Sequence, residues 1–290
     1  MKRTKGEAVF NAFNVVFLIL FSVVCIYPFL YTLTISLSTT EEAMKDGLHL
    51  FTASPTLEPY KMAFEGGDIA VAYANTIFRT VVGTALALLV SLMYAYGISR
   101  DELPGRKMFS KILIFTMVFN GGTIPTYLVI KGLHLINNRW VYILPMLISA
   151  YNVTIVRSFF KSIPESLHES ALLDGASEFT IFFKIYVPLS KAVIMTLVLW
   201  IAVSHWNSWY DSMIYINDND KVVVQLLLQR MIQSAQVKVV NSAVNENAVT
   251  VMPVTIRAAT TMIATLPILA VYPFIQKYFM GGVMLGAVKG

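Results

Sequence analysis

The sequence is short of charge and nearly without cysteine. Charged residues make up 13% of its 290 residues, against roughly 25% in an average soluble domain. Hydrophobic residues fill 56% of the chain, and mean hydropathy is +0.64. A soluble body of this composition would expose one large apolar patch. An ordinary soluble enzyme, a disordered chain and a nucleic-acid-binding domain are excluded on that ground. The net charge of +5 therefore reads as loop charge of a membrane protein, not as a nucleic-acid signal. The single cysteine, Cys25, excludes an internal disulfide and any cysteine-based metal site. It lies in an apolar run and is expected to be a buried, inert thiol.

Chemistry is missing too. No G-x-x-x-x-G-K-[S/T] stretch occurs, so the chain has no phosphate-binding loop of its own. No G-x-S-x-G nucleophile turn occurs either. His49, His134, His168 and His205 are far apart, and none has the spacing of a helical metal pair. The chain itself is thus not expected to be an enzyme, and no metal or cofactor is expected on it. Ion-coupled carriers usually place acids or bases inside their membrane spans, and the long apolar runs here are almost free of them. Arg79 and Asp211 sit near the ends of two such runs and are read as interfacial or pairing residues, not as a proton relay.

What is present is a set of six apolar runs, each about as long as the 20 residues a bilayer-crossing helix needs. They cover about 13–37, 75–99, 109–130, 140–160, 185–209 and 258–280. The first is too long for a signal peptide and no small-residue cleavage site follows it. It is read as a retained helix that Pro28 can kink. Lysine and arginine concentrate in the N-terminal tail and in the second-to-third and fourth-to-fifth connections. By the positive-inside bias both termini are cytoplasmic. Segments 38–74 and 210–257 are then external and 161–184 is cytoplasmic. The reading is an all-α membrane protein, a single transmembrane domain over 1–290.

The cytoplasmic loop 161–184 is the most informative stretch. Pro164 suits a helix start, Glu165 a first turn, Gly175 a left-handed helix end and Ser177 the cap of a following helix. This predicts a short helix, a turn and a second helix. Leu167, Ala171 and Leu172 share a face that could fill a partner's groove, with Glu169 and Asp174 fixing orientation. An amphipathic loop resting on lipid is the alternative from the residues alone.

Glu169-Ser170-Ala171, then Gly175, then nine residues and Ile185-x-Val187-Pro188 resembles the "EAA" loop of binding-protein-dependent ABC importer permeases. Ser170 and Val187 depart from that pattern, which has alanine and leucine there. Trp206-Asn207 resembles the pair found in carbohydrate-type permeases. Gly121-Gly122-Thr123-Ile124-Pro125-Thr126-Tyr127 resembles the oligosaccharide-importer branch, and the tail from Gln276 to Gly290 the MalG-like half of maltose-type systems. The resemblance implies a type I ABC importer permease fold with six transmembrane helices in a bacterial cytoplasmic membrane. It implies a second homologous permease, two ATP-binding subunits carrying ATP and Mg, an extracytoplasmic solute-binding protein and an oligosaccharide substrate. By the same resemblance Glu165, Leu167, Glu169, Ala171, Leu172, Asp174, Gly175, Ile185 and Pro188 would couple to the ATPase. Residues 217–255 would help dock the solute-binding protein.

Sugars offer hydroxyls and apolar ring faces, so a sugar path calls for amides and aromatics without fixed charge. Asn120, Thr123, Tyr127, Asn152, His205, Trp206 and Asn207 are the candidates inside the runs. Tryptophan and tyrosine also gather at membrane interfaces for reasons of their own, and asparagine can simply join helices. An ion-coupled secondary sugar carrier is the alternative function. It would need titratable groups in the spans and no docking loop. A polytopic membrane enzyme would need clustered histidines or acids, which are not found.

Overall fold

In lipid, a chain segment must satisfy its backbone internally, so apolar runs of this length become helices. The computed structural model describes residues 5–65, 68–231, 233 and 254–287, and among these the regular secondary structure is helical throughout. The chain divides into two compact units, residues 1–67 with 228–267, and residues 68–227 with 268–290.

In the first unit, α1 (Lys5–Ser36) holds 32 residues, about 48 Å at 1.5 Å per residue. It continues through Pro28. Its apolar side chains, from Val9 to Leu33, stay exposed. Cys25 shares that exposure, which corrects the expected burial. An apolar run on a membrane helix marks a surface for lipid or another chain as readily as a protein core. Thr39 caps a short helix, Thr40–Ala43. The Glu42 carboxylate accepts hydrogen bonds from the Thr52 hydroxyl at 2.7 Å and from the amides of Ala53 and Ser54. Those donors, the Ala53 amide foremost, hold its pKa below the usual carboxylate range. Ile35, Ala43 and Ala258 form a small core beside them.

The second unit is arranged around α2 (Asp68–Ser99). Around it are α3 (Arg106–Val118), α4 (Thr123–Gly132), α5 (Ala150–Phe160), α6 (Glu165–Leu173), α7 (Glu178–Leu189), α8 (Lys191–Asn207) and α9 (Tyr210–Tyr215), among shorter helical turns. A last helix, α10 (Val254–Ala287), runs across the division between the units. One core cluster joins Leu92, Ala95 and Ile98 of α2 to Val153, Val156 and Phe160 of α5, Ile181 and Tyr186 of α7, and Leu197 of α8. A second cluster gathers Val141, Tyr142, Ile143, Tyr215, Val223 and Leu226, with Phe78 and Val82 of α2 packed on it.

The runs at 13–37, 75–99 and 258–280 fall on α1, α2 and α10; the other three are interrupted. The run at 109–130 is divided between α3 and α4, because Gly122 adopts φ 84°. The Asn120 side chain accepts from the Gly122 amide at 2.9 Å and holds that break. The run at 140–160 begins as two 3₁₀ turns around Pro145 and meets α5 at 47°. The run at 185–209 bends by 83° between α7 and α8. Pro188 lacks the N–H that would bond the Lys184 carbonyl, and residues Phe182–Tyr186 relax into a π-helical turn before the bend. By length and composition, two of the described helices can cross a bilayer, Val9–Ser36 and Ile69–Ser99, or up to four if each bent pair is one span.

Candidate coupling site and substrate pathway

The loop singled out in the sequence is a helical hairpin on the second unit. Pro164, with φ −56°, precedes α6, and Glu165 occupies its first turn, where the helix dipole favours negative charge. At the other end Gly175 takes φ 79°. The Gly175 amide donates to the Leu172 carbonyl at 3.0 Å and the Ala176 amide to Ala171 at 2.9 Å. This is the paired bonding of a Schellman helix end. Ser177 then caps α7, its hydroxyl accepting from the Thr180 amide at 3.3 Å. A Cβ at Gly175 would meet nothing within 4 Å, so the demand for glycine there is conformational.

The two faces of α6 differ. Leu167, Leu172 and Leu173 are exposed, Leu173 at 89%. Glu169 and Asp174 are exposed beside them. Ala171 is half-buried and, with Ile185, packs on the core of its own unit. Pro188 is exposed at the bend.

Beneath α6 lies a polar network with no counterpart in the sequence reading. Arg100, just past α2, donates to the Tyr186 hydroxyl at 3.1 Å, to Glu165 at 3.3 Å and to His168 Nδ1 at 2.9 Å. His168, 3% exposed, reaches both oxygens of Glu178 from Nε2, at 3.2 and 3.3 Å. The Tyr96 hydroxyl donates to the same carboxylate. Burial pushes the Glu178 carboxyl up. Hydrogen bonds from Tyr96 and His168, with the charge of Arg100, outweigh it and hold the pKa below the usual carboxylate range. Two cavities of about 370 Å³ flank Arg100. Apart from His168 and Glu178, 10 residues apart, the network joins positions 65 to 86 residues apart, so local spacing carried no signal for it.

The pathway candidates separate. Asn152 and His205 line one cavity of about 300 Å³, with Ser149, Ser204 and Trp200 on its wall. Tyr151 stacks on Trp200 with ring centres 5.9 Å apart. His205 is buried and lies against Gly83, where a Cβ would come within 2.7 Å of the imidazole. Trp206 is buried edge-on to Tyr73. Asn207 is exposed and its amide donates to the Val203 carbonyl. Asn120, Thr123 and Tyr127 do not line that cavity; Asn120 holds the break before α4, and Tyr127 stacks on Tyr215.

Arg79 and Asp211, read separately in the sequence, are partners. Arg79 is fully buried, and its two terminal nitrogens meet the two carboxylate oxygens of Asp211 at 3.2 and 2.5 Å. It also donates to the Ser208 carbonyl and lies over the Tyr142 ring at 4.7 Å.

Helices of bilayer length and a capped hairpin with an outward apolar face describe a helical protein of membrane type. The chain belongs to the family of binding-protein-dependent transport system inner membrane components, whose description matches residues 108–285. It is 40% identical over 290 residues to Protein LplC of Bacillus subtilis (strain 168), covering 100% of this chain and 98% of that one. It is 39% identical over 274 residues to the polygalacturonan/rhamnogalacturonan transport system permease protein YtcP of the same organism, covering 94% and 96%. A solved chain from a bacterial ABC transporter involved in import of the acidic polysaccharide alginate superposes with TM-score 0.85 at 29% identity, covering 96% and 99%.

Proposed function

We propose that this chain is one transmembrane subunit of an ATP-driven importer in a bacterial cytoplasmic membrane, and that its cargo is an oligosaccharide. It crosses the bilayer six times with both termini cytoplasmic, the bent runs 109–130, 140–160 and 185–209 each making one passage and 161–184 staying in the cytoplasm. A second permease completes the pore, two ATPase subunits bind ATP and Mg below it, and an extracytoplasmic solute-binding protein delivers the sugar. Part of the 217–255 segment expected to receive that protein lies outside the described residues.

The observation that carries this reading is α6. It offers Leu167, Leu172 and Leu173 outward beside Glu169 and Asp174, while its inner side is tied to α2 and α7. Exposed leucines on a rigid helix suit a hydrophobic groove on a partner. A force applied there reaches α8 through the bend at Ser190, as rigid-body motion of packed helices. ATP biases the motion because it binds one state of its own subunits better than the other. The cavity at Asn152 and His205 supports the cargo, since its uncharged hydroxyls and amide and a stacked pair of rings suit the hydroxyls and ring faces of a sugar. The relatives named for polygalacturonan, rhamnogalacturonan and alginate support an oligosaccharide from an acidic polysaccharide.

Purification of the tagged chain from its native membrane in mild detergent tests the assembly. A second permease and an ATPase are expected among the recovered proteins. A chain recovered alone, folded and without an ATPase, overturns the reading in favour of an ion-coupled carrier.

A further inference from the structure

The proposed coupling leaves open how motion of α6 is passed inward without slip, and the answer lies in one imidazole. Arginine only donates hydrogen bonds. Arg100 Nη2 stands 2.9 Å from His168 Nδ1, so Nδ1 must present its lone pair. The ring proton then sits on Nε2, where two carboxylate oxygens of Glu178 lie at 3.2 and 3.3 Å. The Tyr96 hydroxyl closes the chain by donating to Glu178. His168 is 3% exposed, and Tyr186 lies edge-on to it at 6.4 Å. One ring therefore bridges the end of α2, its own helix α6 and the start of α7.

We infer that His168 is a positioning residue, a one-tautomer bridge that locks the docking helix α6 to α2 and α7 so that the two faces of the hairpin move as one body. The inference rests on the coupling role proposed above. Lysine there would set donors against Arg100, and a purely apolar side chain would leave both charged neighbours without their shared partner. Glutamine keeps one acceptor and one donor on a side chain of similar reach.

The test uses the whole importer in lipid nanodiscs, with no sugar needed. Nitrogen-15 spectra of the histidine rings, with the His168 signal assigned by its loss in His168→Gln, are expected to show Nδ1 unprotonated and Nε2 protonated. Amide exchange is then followed on adding MgATP. In the parent chain the response is expected in α6, in α7 and at the end of α2 together. In His168→Met it should stop at α6, whose own amides exchange roughly 10- to 100-fold faster, the scale of a lost hydrogen bond to a charged group. His168→Gln should restore both. A proton found on Nδ1, a His168→Met chain that transmits like the parent, or a His168→Gln chain that fails like His168→Met would each overturn the bridge. If the ATPase subunits never bind, the importer reading falls instead, and the ring spectra and the α6 exchange rates decide the bridge on their own.

Discussion

A buried arginine is the strongest statement any single residue makes here. Arg79 is shut away from water, and among the described residues Asp211 alone pairs with its charge. Breaking a buried pair by removing one member costs about 3–5 kcal/mol, whereas replacing both members by apolar groups is often neutral. Asp211→Asn is therefore expected to lower the thermal unfolding midpoint of the detergent-solubilised chain sharply, and Arg79→Met with Asp211→Leu to regain most of it. A double mutant no better than the single one would show that the pair does more than balance charge. Gly83 makes a second such statement, since a Cβ there would meet the His205 ring at 2.7 Å. Gly83→Ala is expected to cost about 1–3 kcal/mol, as overpacking does, and His205→Ala in the same chain to relieve it. Equal midpoints for the parent and Gly83→Ala would mean the imidazole moves aside freely. Each of these residues was visible in the sequence, yet neither pairing was. Arg79 and Asp211 lie 132 positions apart, and no periodicity connects residues across such a distance.

Individual elements were far more legible. Local rules place the ends of α6: a proline and an acid at its start, a glycine with φ 79° at its close, a serine cap on the next helix. Gly175→Val is expected to cost about 1–2 kcal/mol, the penalty of the left-handed region for a residue with a Cβ, and to loosen α6 as read by amide exchange. Unchanged protection would place the helix end elsewhere. Valine is a sharper test than aspartate, which tolerates that conformation better. Glu178 adds a pH dependence. Its folded pKa lies below the ordinary carboxylate value, so its stabilisation is fully present above the unfolded pKa, about 4.3. It is lost as pH falls through the depressed folded value. Protection of α6 is expected to weaken on acidification through that window, and Glu178→Gln to remove the step. A step of unchanged size in the variant would assign it to another group. What composition could not reveal was where an apolar run breaks. Gly122, Pro145 and Pro188 sit in runs whose hydropathy stays high, and the breaks arise from backbone conformation and missing amide donors.

At the scale of the whole molecule, outward-facing surface carries as much meaning as core. The apolar side chains of α1 lie open along its length, as do Leu167, Leu172 and Leu173 on α6. Composition announced a protein of membrane type, and the loop pattern announced a short capped helix. The division of labour on α6 was not legible, because it depends on which side chains meet α2 and α7. Ala171 had been grouped with Leu167 and Leu172 by spacing, yet it packs inward. The outward trio thus gives a clean test of assembly. Fully burying one leucine at an interface contributes about 1.5–3 kcal/mol, roughly a tenfold or greater change in affinity each. Replacing all three by asparagine keeps every member of the Arg100–His168–Glu178 network, although Leu172 also lines the cavity beside it. The variant is expected to reach the membrane, to melt at the parent's temperature, and to co-purify with at least tenfold less ATPase subunit. Parent-level recovery of ATPase with such a variant would move the docking surface off α6, leaving the hairpin a structural feature of the second unit alone.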